Sequence, residues 1–243
     1  MNLFELFTDD LDEGIHDPGI FKAVFVAGPP GAGKDTVINA LGLPATGLKM
    51  QDIDRTMYFL RKAKGQLTGN IQNPTDAEYK DSLRTTLNRQ RILQQSMLGL
   101  LINTTGRDAE HLLQLNRELK KFGYDTFMVF INAEHDVASS RISNREQHGK
   151  NPWDRRKVDQ TYFNDAYQKS RQNADFYALS FGNNFAYVTN NVRSQETTED
   201  INDDEFNSGI KVAAKKVRRF LQEPLSDKAK QIVAAASPIN KSL

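Results

Sequence analysis

Residues 28–36 of the chain read Gly28-Pro29-Pro30-Gly31-Ala32-Gly33-Lys34-Asp35-Thr36. This is the phosphate-loop pattern G-x-x-x-x-G-K, except that Asp35 stands where Ser or Thr usually follows the lysine. Glycines in such a loop allow backbone N–H groups to turn toward a phosphate, and Lys34 adds a point charge for the terminal phosphates. We therefore predict that all the residues from 28 to 36 take part in binding the phosphates of a nucleotide.

The sequence on either side of this loop supports that interpretation. Residues 21–27 read FKAVFVA, an apolar and β-branched run with the length of a strand. Residues 36–41 begin a helical pattern, so the loop leads from a strand into a helix whose positive N-terminal end faces the anion. A glycine-rich loop without these neighbours also occurs in ordinary turns, and the context therefore favours a phosphate site.

The carboxylate of Asp35 requires a cation, because it would otherwise repel a polyphosphate. The hydroxyl usually found at this position binds Mg²⁺, and a carboxylate is an equally hard oxygen ligand, directly or through water. The negative charge also suits the N-terminus of a helix. We predict Mg²⁺ at Asp35 and Thr36, with the Thr36 hydroxyl close to a phosphate.

Composition excludes several classes of protein. The chain has 243 residues, of which 38% are apolar and 26% charged, enough for one sizeable core. The absence of cysteine excludes disulfides, thiolate metal sites and cysteine nucleophiles. No run approaches the roughly 18 apolar residues of a membrane helix, and the acidic start lacks the basic leader of a signal peptide. We expect a soluble, cytoplasmic protein with no membrane span.

Short apolar runs alternate with helical stretches, as in a parallel sheet covered on both faces. The predicted fold is α/β: a P-loop NTPase three-layer sandwich with a five-stranded parallel sheet, a helical lid, and added N- and C-terminal segments. Ligands of such sheets bind beyond the carboxyl ends of the strands. Strands are predicted at residues 21–27, 47–51, 98–102, 126–131 and 185–188, and helices at residues 54–64, 76–97, 109–122, 135–145 and 158–171.

The end of the second predicted strand carries two candidate bases, Asp52 and Asp54, followed by Arg55. Transfer of a phosphoryl group to a hydroxyl needs a group that accepts the hydroxyl proton, and either carboxylate can do this. Alternatively, Asp54 only caps the following helix. Successive side chains of a strand point to opposite faces, so one carboxylate is expected to face the loop. Arg55 is placed on the acceptor side.

The third predicted strand runs into Asn103-Thr104-Thr105-Gly106-Arg107-Asp108 and ends without an acidic pair. Hydrolytic NTPases usually place acidic residues here to hold magnesium and activate water. Their absence argues against a dedicated ATPase and for transfer to a bound acceptor. We expect Thr105 and Arg107 to line the acceptor side and Asp108 to cap the next helix.

Basic residues gather where a lid over the phosphates is expected. Arg141 and Arg145 are four residues apart and share a helical face, and Arg155-Arg156 follow a turn-prone segment that precedes Trp153. Arginines that converge on a polyphosphate neutralise charge in the transition state. We predict that Arg141 and Arg145 contact the phosphates; the alternative is a solvated basic face.

The sequence divides the chain into an acidic N-terminal extension (1–18), a P-loop kinase domain (19–192), an acidic linker (193–205), and a basic amphipathic helix with a flexible tail (206–243). The last segment has eight Lys or Arg and two acidic residues. Such a helix can bind nucleic acid, an acidic partner or a membrane surface, or it can close the fold. The pattern favours the closing helix, with the flexible tail beginning after Pro224.

In order and spacing these features resemble the zeta-toxin and polynucleotide-kinase branch of the P-loop kinases, over about residues 20–192. The resemblance rests on the loop, the acidic second-strand end, the TTGR turn, the stretch LKKFGYDTFMVFI at residues 119–131, and the two lid arginines. The loop is also close to that of adenylate kinases, which have Gly in place of Asp35. A second departure is Asn103, where related kinases often have Asp.

The resemblance implies ATP and Mg²⁺ as the donor and transfer of the γ-phosphate to a hydroxyl or a phosphate. It places Lys34 and Thr36 on the ATP phosphates, an Asp of the second-strand end as base, and the lid arginines as the phosphate clamp. The toxins phosphorylate a nucleotide-activated amino sugar. For this chain the acceptor is left as a small molecule, a nucleotide or an oligonucleotide.

A second function is compatible with the same residues. In a catalytically silent ATP-binding protein, structural or regulatory within a larger assembly, Asp35 and Asn103 would mark lost chemistry. Such a protein binds ATP without transferring a phosphoryl group. Neither the acceptor nor the oligomeric state follows from the residues.

Overall fold

The computed structural model describes residues 19–66, 75–148, 157–192 and 204–236, apart from the side chains of Gln147 and Ala236. Several parts of the sequence interpretation lie outside these residues: the N-terminal extension, the turn-prone segment before Trp153, Trp153 itself, Arg155-Arg156, the linker as far as residue 203, and the tail from residue 237.

Five parallel strands form one sheet in the order β2-β3-β1-β4-β5. The five-stranded parallel sheet predicted from the sequence is therefore confirmed, with boundaries shifted by up to two residues. The central strand, β1, is buried along its whole length because it has a neighbour on either side and helices on both faces. The strands are β1 (Lys22–Ala27), β2 (Lys49–Gln51), β3 (Leu100–Thr104), β4 (Asp125–Asn132) and β5 (Phe185–Thr189).

The described residues contain eight α-helices, and none of them is long and apolar enough to cross a membrane. The sixth extends to Phe181, ten residues beyond the predicted end, because no proline or glycine interrupts it before Gly182. The helices are α1 (Lys34–Ala40), α2 (Ile53–Ala63), α3 (Asp76–Gln95), α4 (Ala109–Lys121), α5 (His135–His148), α6 (Gln160–Phe181), α7 (Asp204–Gln222) and α8 (Asp227–Ala236).

Alternate side chains of the strands build two cores, one on each face of the sheet. In β1, Val24 and Val26 face the core formed with α1, α5 and α7, whereas Phe25 faces the core formed with α3, α4 and α6. This is the three-layer sandwich that the alternation of strands and helices predicts. All the carboxyl ends of the strands meet at one edge, where the phosphate loop begins.

The C-terminal region corrects the sequence interpretation at two points. Helix α7 begins at Asp204, two residues before the predicted start, and buries Ala213, Val217 and Phe220 on the sheet, as expected of a closing helix. The expectation of a flexible tail after Pro224 is wrong for residues 227–236, which form α8. An apolar face at positions 229, 232 and 233 packs on the core beneath β1, and this spacing is the signal that the sequence interpretation overlooked.

Candidate active site

The phosphate loop leaves β1 after Ala27 and enters α1 at Lys34. Gly31 and Gly33 have positive φ angles of +78° and +80°, which favour glycine. A Cβ atom at Gly33 would lie 2.3 Å from Nδ2 of Asn190, and one at Gly31 would lie 2.3 Å from the carbonyl oxygen of Ala138. The loop is therefore pressed against its neighbours, and the glycines are required by space as well as by backbone angle.

Lys34 is the first residue of α1, and its side chain reaches back to the start of the loop. Its Nζ donates to the carbonyl oxygens of Gly28 at 2.9 Å and of Pro29 at 3.2 Å, so the amine folds back over the loop. Burial lowers the pKa of Lys34 from 10.5 to about 8. The lysine is thus poised to gain most from a nearby anion, since a buried ammonium is stabilised strongly by opposite charge.

Four residues that the sequence singled out lie close enough to act electrostatically on Lys34. The carboxylates of Asp35, Asp52 and Asp54 raise its pKa, and the guanidinium of Arg145 lowers it. Asp35 is the sequence neighbour of Lys34, whereas Asp52, Asp54 and Arg145 come from the end of β2, from α2 and from α5 and are brought there by the fold. The site thus combines cations that can hold phosphates with carboxylates that can bind a metal or accept a proton.

Asp52, and not Asp54, caps helix α2. Its Oδ1 accepts from the backbone N–H of Arg55 at 2.9 Å, and its Oδ2 accepts from Nδ2 of Asn103 at 2.9 Å. The alternative that Asp54 is the cap is wrong, because the helix begins one residue earlier than the pattern indicated and Asp54 lies within its first turn. Arg55 is exposed, and its guanidinium lies over the ring of Phe59 at 5.7 Å.

The turn after β3 is held by helix α6. The carbonyl oxygen of Gly106 accepts from Oη of Tyr177 at 2.8 Å and from Nδ2 of Asn173 at 3.1 Å. Arg107 forms an ion pair with Asp165, with Nε 2.7 Å from Oδ2, and its guanidinium lies 5.2 Å from the ring centre of Tyr162. These partners on α6 carry no recognisable sequence signal, and the sequence interpretation missed them.

Two smaller expectations concern the same turn. Oγ1 of Thr105 accepts a hydrogen bond from the backbone N–H of Arg107 at 3.4 Å, so the Thr105 side chain helps to hold the turn. Asp108 caps α4 by accepting from the N–H of His111, as the sequence predicted.

The two lid arginines have different surroundings. Arg141 donates to the carbonyl oxygen of Gly31 at 3.2 Å, to Oδ1 of Asn190 at 2.9 Å, and to the carbonyl oxygen of Val192. By contrast, Nε of Arg145 is buried without a hydrogen-bond partner in the described part of the chain. The two arginines are thus one turn apart on α5, and Arg141 is bound to the loop and to the segment after β5.

Asn190 is a site residue that sequence reasoning missed. It directly follows β5, and its Nδ2 donates to the carbonyl oxygen of Ala32 at 2.9 Å. The signal that could have found it is its position, since polar residues just beyond the carboxyl ends of parallel strands were already used to select Asp52 and Arg107.

The donor set is compatible with ATP and Mg²⁺. Asp35 and Thr36 are exposed in the first turn of α1, beside Lys34. The described residues contain no cluster of three or more His, Cys, Asp or Glu that could enclose a metal. In phosphoryl-transfer sites Mg²⁺ keeps several waters and is bound by one or two carboxylates together with substrate phosphates, and Asp35 and Thr36 could supply such ligands.

The chain is similar to known proteins in its sequence family and in its fold. The family model of the zeta toxins matches residues 10–205 of the chain. No curated protein matches the chain.

Solved structures share the fold at low sequence identity. A chain of the AvrRxo1-ORF1:ORF2 complex with ATP has a TM-score of 0.61 at 14% identity, and the match covers 77% of this chain and 61% of that one. A proposed kinase from Chloroflexus aurantiacus has a TM-score of 0.53 at 16% identity, covering 83% and 98%. A chain of the PezAT toxin-antitoxin system of Streptococcus pneumoniae has a TM-score of 0.50 at 18% identity, covering 90% and 98%. This chain thus spans less than two thirds of the AvrRxo1 complex chain.

Proposed function

The chain belongs to the zeta toxin family and is an ATP-dependent P-loop phosphotransferase, and from that premise we propose that it transfers the γ-phosphoryl group to a hydroxyl of a small-molecule or nucleotide acceptor. The observation that carries the proposal is Lys34, which folds back over the phosphate loop with Arg145 and three carboxylates near enough to act on its charge. Cations for the donor phosphates and a carboxylate for the acceptor proton are the parts that phosphoryl transfer to a hydroxyl requires.

The donor side consists of the loop, Lys34, Arg145, Asp35 and Thr36. Backbone N–H groups and the two cations bind the ATP phosphates, and Asp35 and Thr36 would hold Mg²⁺. When bound, Mg²⁺ neutralises charge that develops on the phosphoryl oxygens. Arg145 supports this assignment because its guanidinium lies near enough to Lys34 to act on the charge of that lysine.

We assign the base to Asp54 rather than to Asp52. Both oxygens of Asp52 already accept hydrogen bonds, from the N–H of Arg55 and from the amide of Asn103. These two bonds tie Asp52 to the start of α2 and to the end of β3, so we assign it the part of positioning the end of β2. Asp54 lies in the first turn of α2 and acts on the charge of Lys34, and it is assigned to accept the proton of the incoming hydroxyl.

The acceptor side is proposed to include Arg55, Thr105 and Arg107. Arg107 can shift between its ion pair with Asp165 and an anionic group on the acceptor, because the pair is only partly buried. A carboxylate base is needed for a hydroxyl and not for a phosphate that is already ionised, and this favours a hydroxyl as the reacting group.

Single-turnover transfer from γ-labelled ATP tests the proposal. The acceptor panel contains nucleoside monophosphates, nucleotide sugars and 5′-hydroxyl oligonucleotides, and K34A serves as the control. Label on one acceptor class, absent with K34A, identifies the acceptor. No transfer to any member of the panel, with ATP binding confirmed, would count against the proposed acceptors and favour the silent ATP-binding protein.

The oligonucleotide class can be tested separately through the basic face of α7. Deletion of residues 206–243 is unsuitable, because Phe206, Val217 and Phe220 belong to the core. Reversal of the exposed charges in K211E/K215E/R218E leaves the core intact. If the acceptor is an oligonucleotide held by this face, binding weakens and its salt dependence becomes shallower. Unchanged affinity excludes this face as the binding surface.

A further inference from the structure

We propose that Asn190 and Arg141 form a clamp that fixes the phosphate loop in its binding geometry, so that both are positioning residues for ATP. This inference rests on the proposed function, because it assigns a consequence for ATP affinity to residues outside the loop. It also gives Arg141 a part different from that of Arg145.

The clamp is a chain of hydrogen bonds from two distant elements to the loop. Asn190, beyond β5, donates through Nδ2 to the carbonyl oxygen of Ala32 at 2.9 Å and accepts through Oδ1 from Arg141 at 2.9 Å. Arg141, on α5, donates to the carbonyl oxygen of Gly31 at 3.2 Å. Two successive carbonyls of the loop are thus held on the same side.

The orientation of these carbonyls decides where the loop N–H groups point. In a trans peptide the C=O and the following N–H point in opposite directions. Because the carbonyl of Ala32 points to Asn190, the N–H of Gly33 points away from the clamp and is available to a phosphate. Loss of the clamp would allow this peptide to rotate, since glycine restricts its backbone so little.

Asn190 is itself held firmly. Its side chain is almost fully buried, with 2% exposure, and its backbone N–H donates to the carbonyl oxygen of Asn132 at 2.7 Å. The close approach of Gly33 to Nδ2 leaves no space for a Cβ atom. A buried amide fixed at both its backbone and its side chain can impose geometry on a loop that contains two glycines with positive φ.

The same anchor places Arg145. Arg145 is one turn beyond Arg141 on α5, so fixing Arg141 to the loop also fixes the helix face that carries both side chains. Arg141 then acts through the loop, whereas Arg145 acts on Lys34 and on the phosphates directly.

The test is calorimetric titration of ATP with the full chain and the N190A variant, together with single-turnover transfer. The carboxamide of Asn190 has no charge, so N190A leaves the net charge of the site unchanged. A change in ATP affinity then reports the geometry of the loop. We expect the Kd of ATP to rise by about tenfold or more, roughly 1.4 kcal/mol, while the KM of the acceptor changes by less than about twofold.

A matched control is N184A. Asn184 precedes the same strand and donates one hydrogen bond, to the carbonyl oxygen of Thr126 at 3.2 Å, at the end of the strand opposite to the loop. N184A is expected to lower the melting temperature and to leave ATP affinity unchanged. ATP affinity of N190A equal to the wild type, or the same loss in N190A and N184A, would overturn the clamp.

A second variant keeps the test informative if N190A does not fold. R141K retains the positive charge but cannot form the forked contacts to Gly31 and Asn190. The clamp predicts weaker ATP binding by R141K with acceptor binding unchanged, and wild-type affinity in R141K would overturn it. Failure of the wild type itself to bind ATP would instead contradict the proposed function.

Discussion

Asn103, at the end of β3, donates a hydrogen bond of 2.9 Å to the carboxylate of Asp52, at the end of β2. An aspartate at position 103, as in related kinases, would place two negative charges in contact. The amide of Asn103 instead donates a hydrogen bond to Asp52, so the contact is attractive. Because Asp52 also caps α2, this single contact joins β3, β2 and the helix that carries Asp54. The end of β3 therefore positions the helix that carries the proposed base.

N103D is expected to destabilise the protein in a pH-dependent way. Two carboxylates in contact raise the pKa of one of them in the folded protein above its pKa in the unfolded chain. The free energy of unfolding therefore falls as the pH rises from the unfolded pKa to the raised folded pKa. We expect the melting temperature of N103D to fall further below the wild type at about pH 7.5 than at about pH 5. The reversed pair in D52N/N103D again sets an amide against a carboxylate and should recover much of the loss. A deficit that does not change with pH would contradict the contact.

D54N and D52N are expected to have different effects. D54N removes the proposed base, so the single-turnover transfer rate should fall by about 100-fold or more with ATP affinity preserved. D52N leaves one side-chain oxygen for two donors and should mainly lower stability, by about 1 kcal/mol. Rates and melting temperatures of both variants test this. Near wild-type transfer by D54N would remove the base assignment.

ATP binding is expected to take up protons above about pH 8. Burial lowers the pKa of Lys34 to about 8, so part of the free protein then holds a neutral amine, and phosphates favour the charged form. Calorimetry near pH 8.5 in two buffers of different ionisation enthalpy should detect the uptake, and K34A should abolish it. Without ligand, the same lowered pKa makes the free energy of unfolding rise between about pH 8 and pH 10.5, because the unfolded chain binds the proton more tightly. Binding without proton uptake in this range would contradict the environment described for Lys34.

The variants G33A and G42A distinguish the effect of backbone strain from the effect of the close contact between Gly33 and Asn190. Both glycines have positive φ, +80° and +68°, so alanine is expected to cost about 1–2 kcal/mol at each. At Gly42 no atom lies within 4 Å of an added Cβ, whereas at Gly33 the added Cβ meets Asn190. We expect G42A to bind ATP normally and G33A to lose most of its ATP affinity. Equal ATP affinity in the two variants would argue against the close packing.

Much of the fold was predictable because it depends on local patterns. Four of the five strands contain short apolar runs, whereas β2 is only Lys49-Met50-Gln51, and the loop between residues 28 and 33 has its own signature. Strand ends also led to Asp52 and Arg107, because parallel strands bring their carboxyl ends to one edge. Helix α8 was missed although its apolar spacing was present, since a short basic segment after a proline resembles a tail.

The remaining parts of the site depend on contacts between residues that are far apart in the chain. Asn190 and Ala32 are 158 positions apart, and no periodicity connects them. The position of Arg141 on a helix was readable from its distance to Arg145, but not that its guanidinium turns to the loop. Which of Asp52 and Asp54 caps α2 likewise depends on the first residue of that helix. A sequence pattern does not locate a helix start to within one residue.

The central claim is that the protein transfers the γ-phosphoryl group of ATP to an acceptor at the site that contains Lys34. The most direct test is to incubate the wild type and K34A with γ-labelled ATP, Mg²⁺ and a small-molecule extract, and to separate the labelled products. The account predicts a new labelled product with the wild type that is absent with K34A. Labelled inorganic phosphate alone, or the same product from K34A, would contradict it.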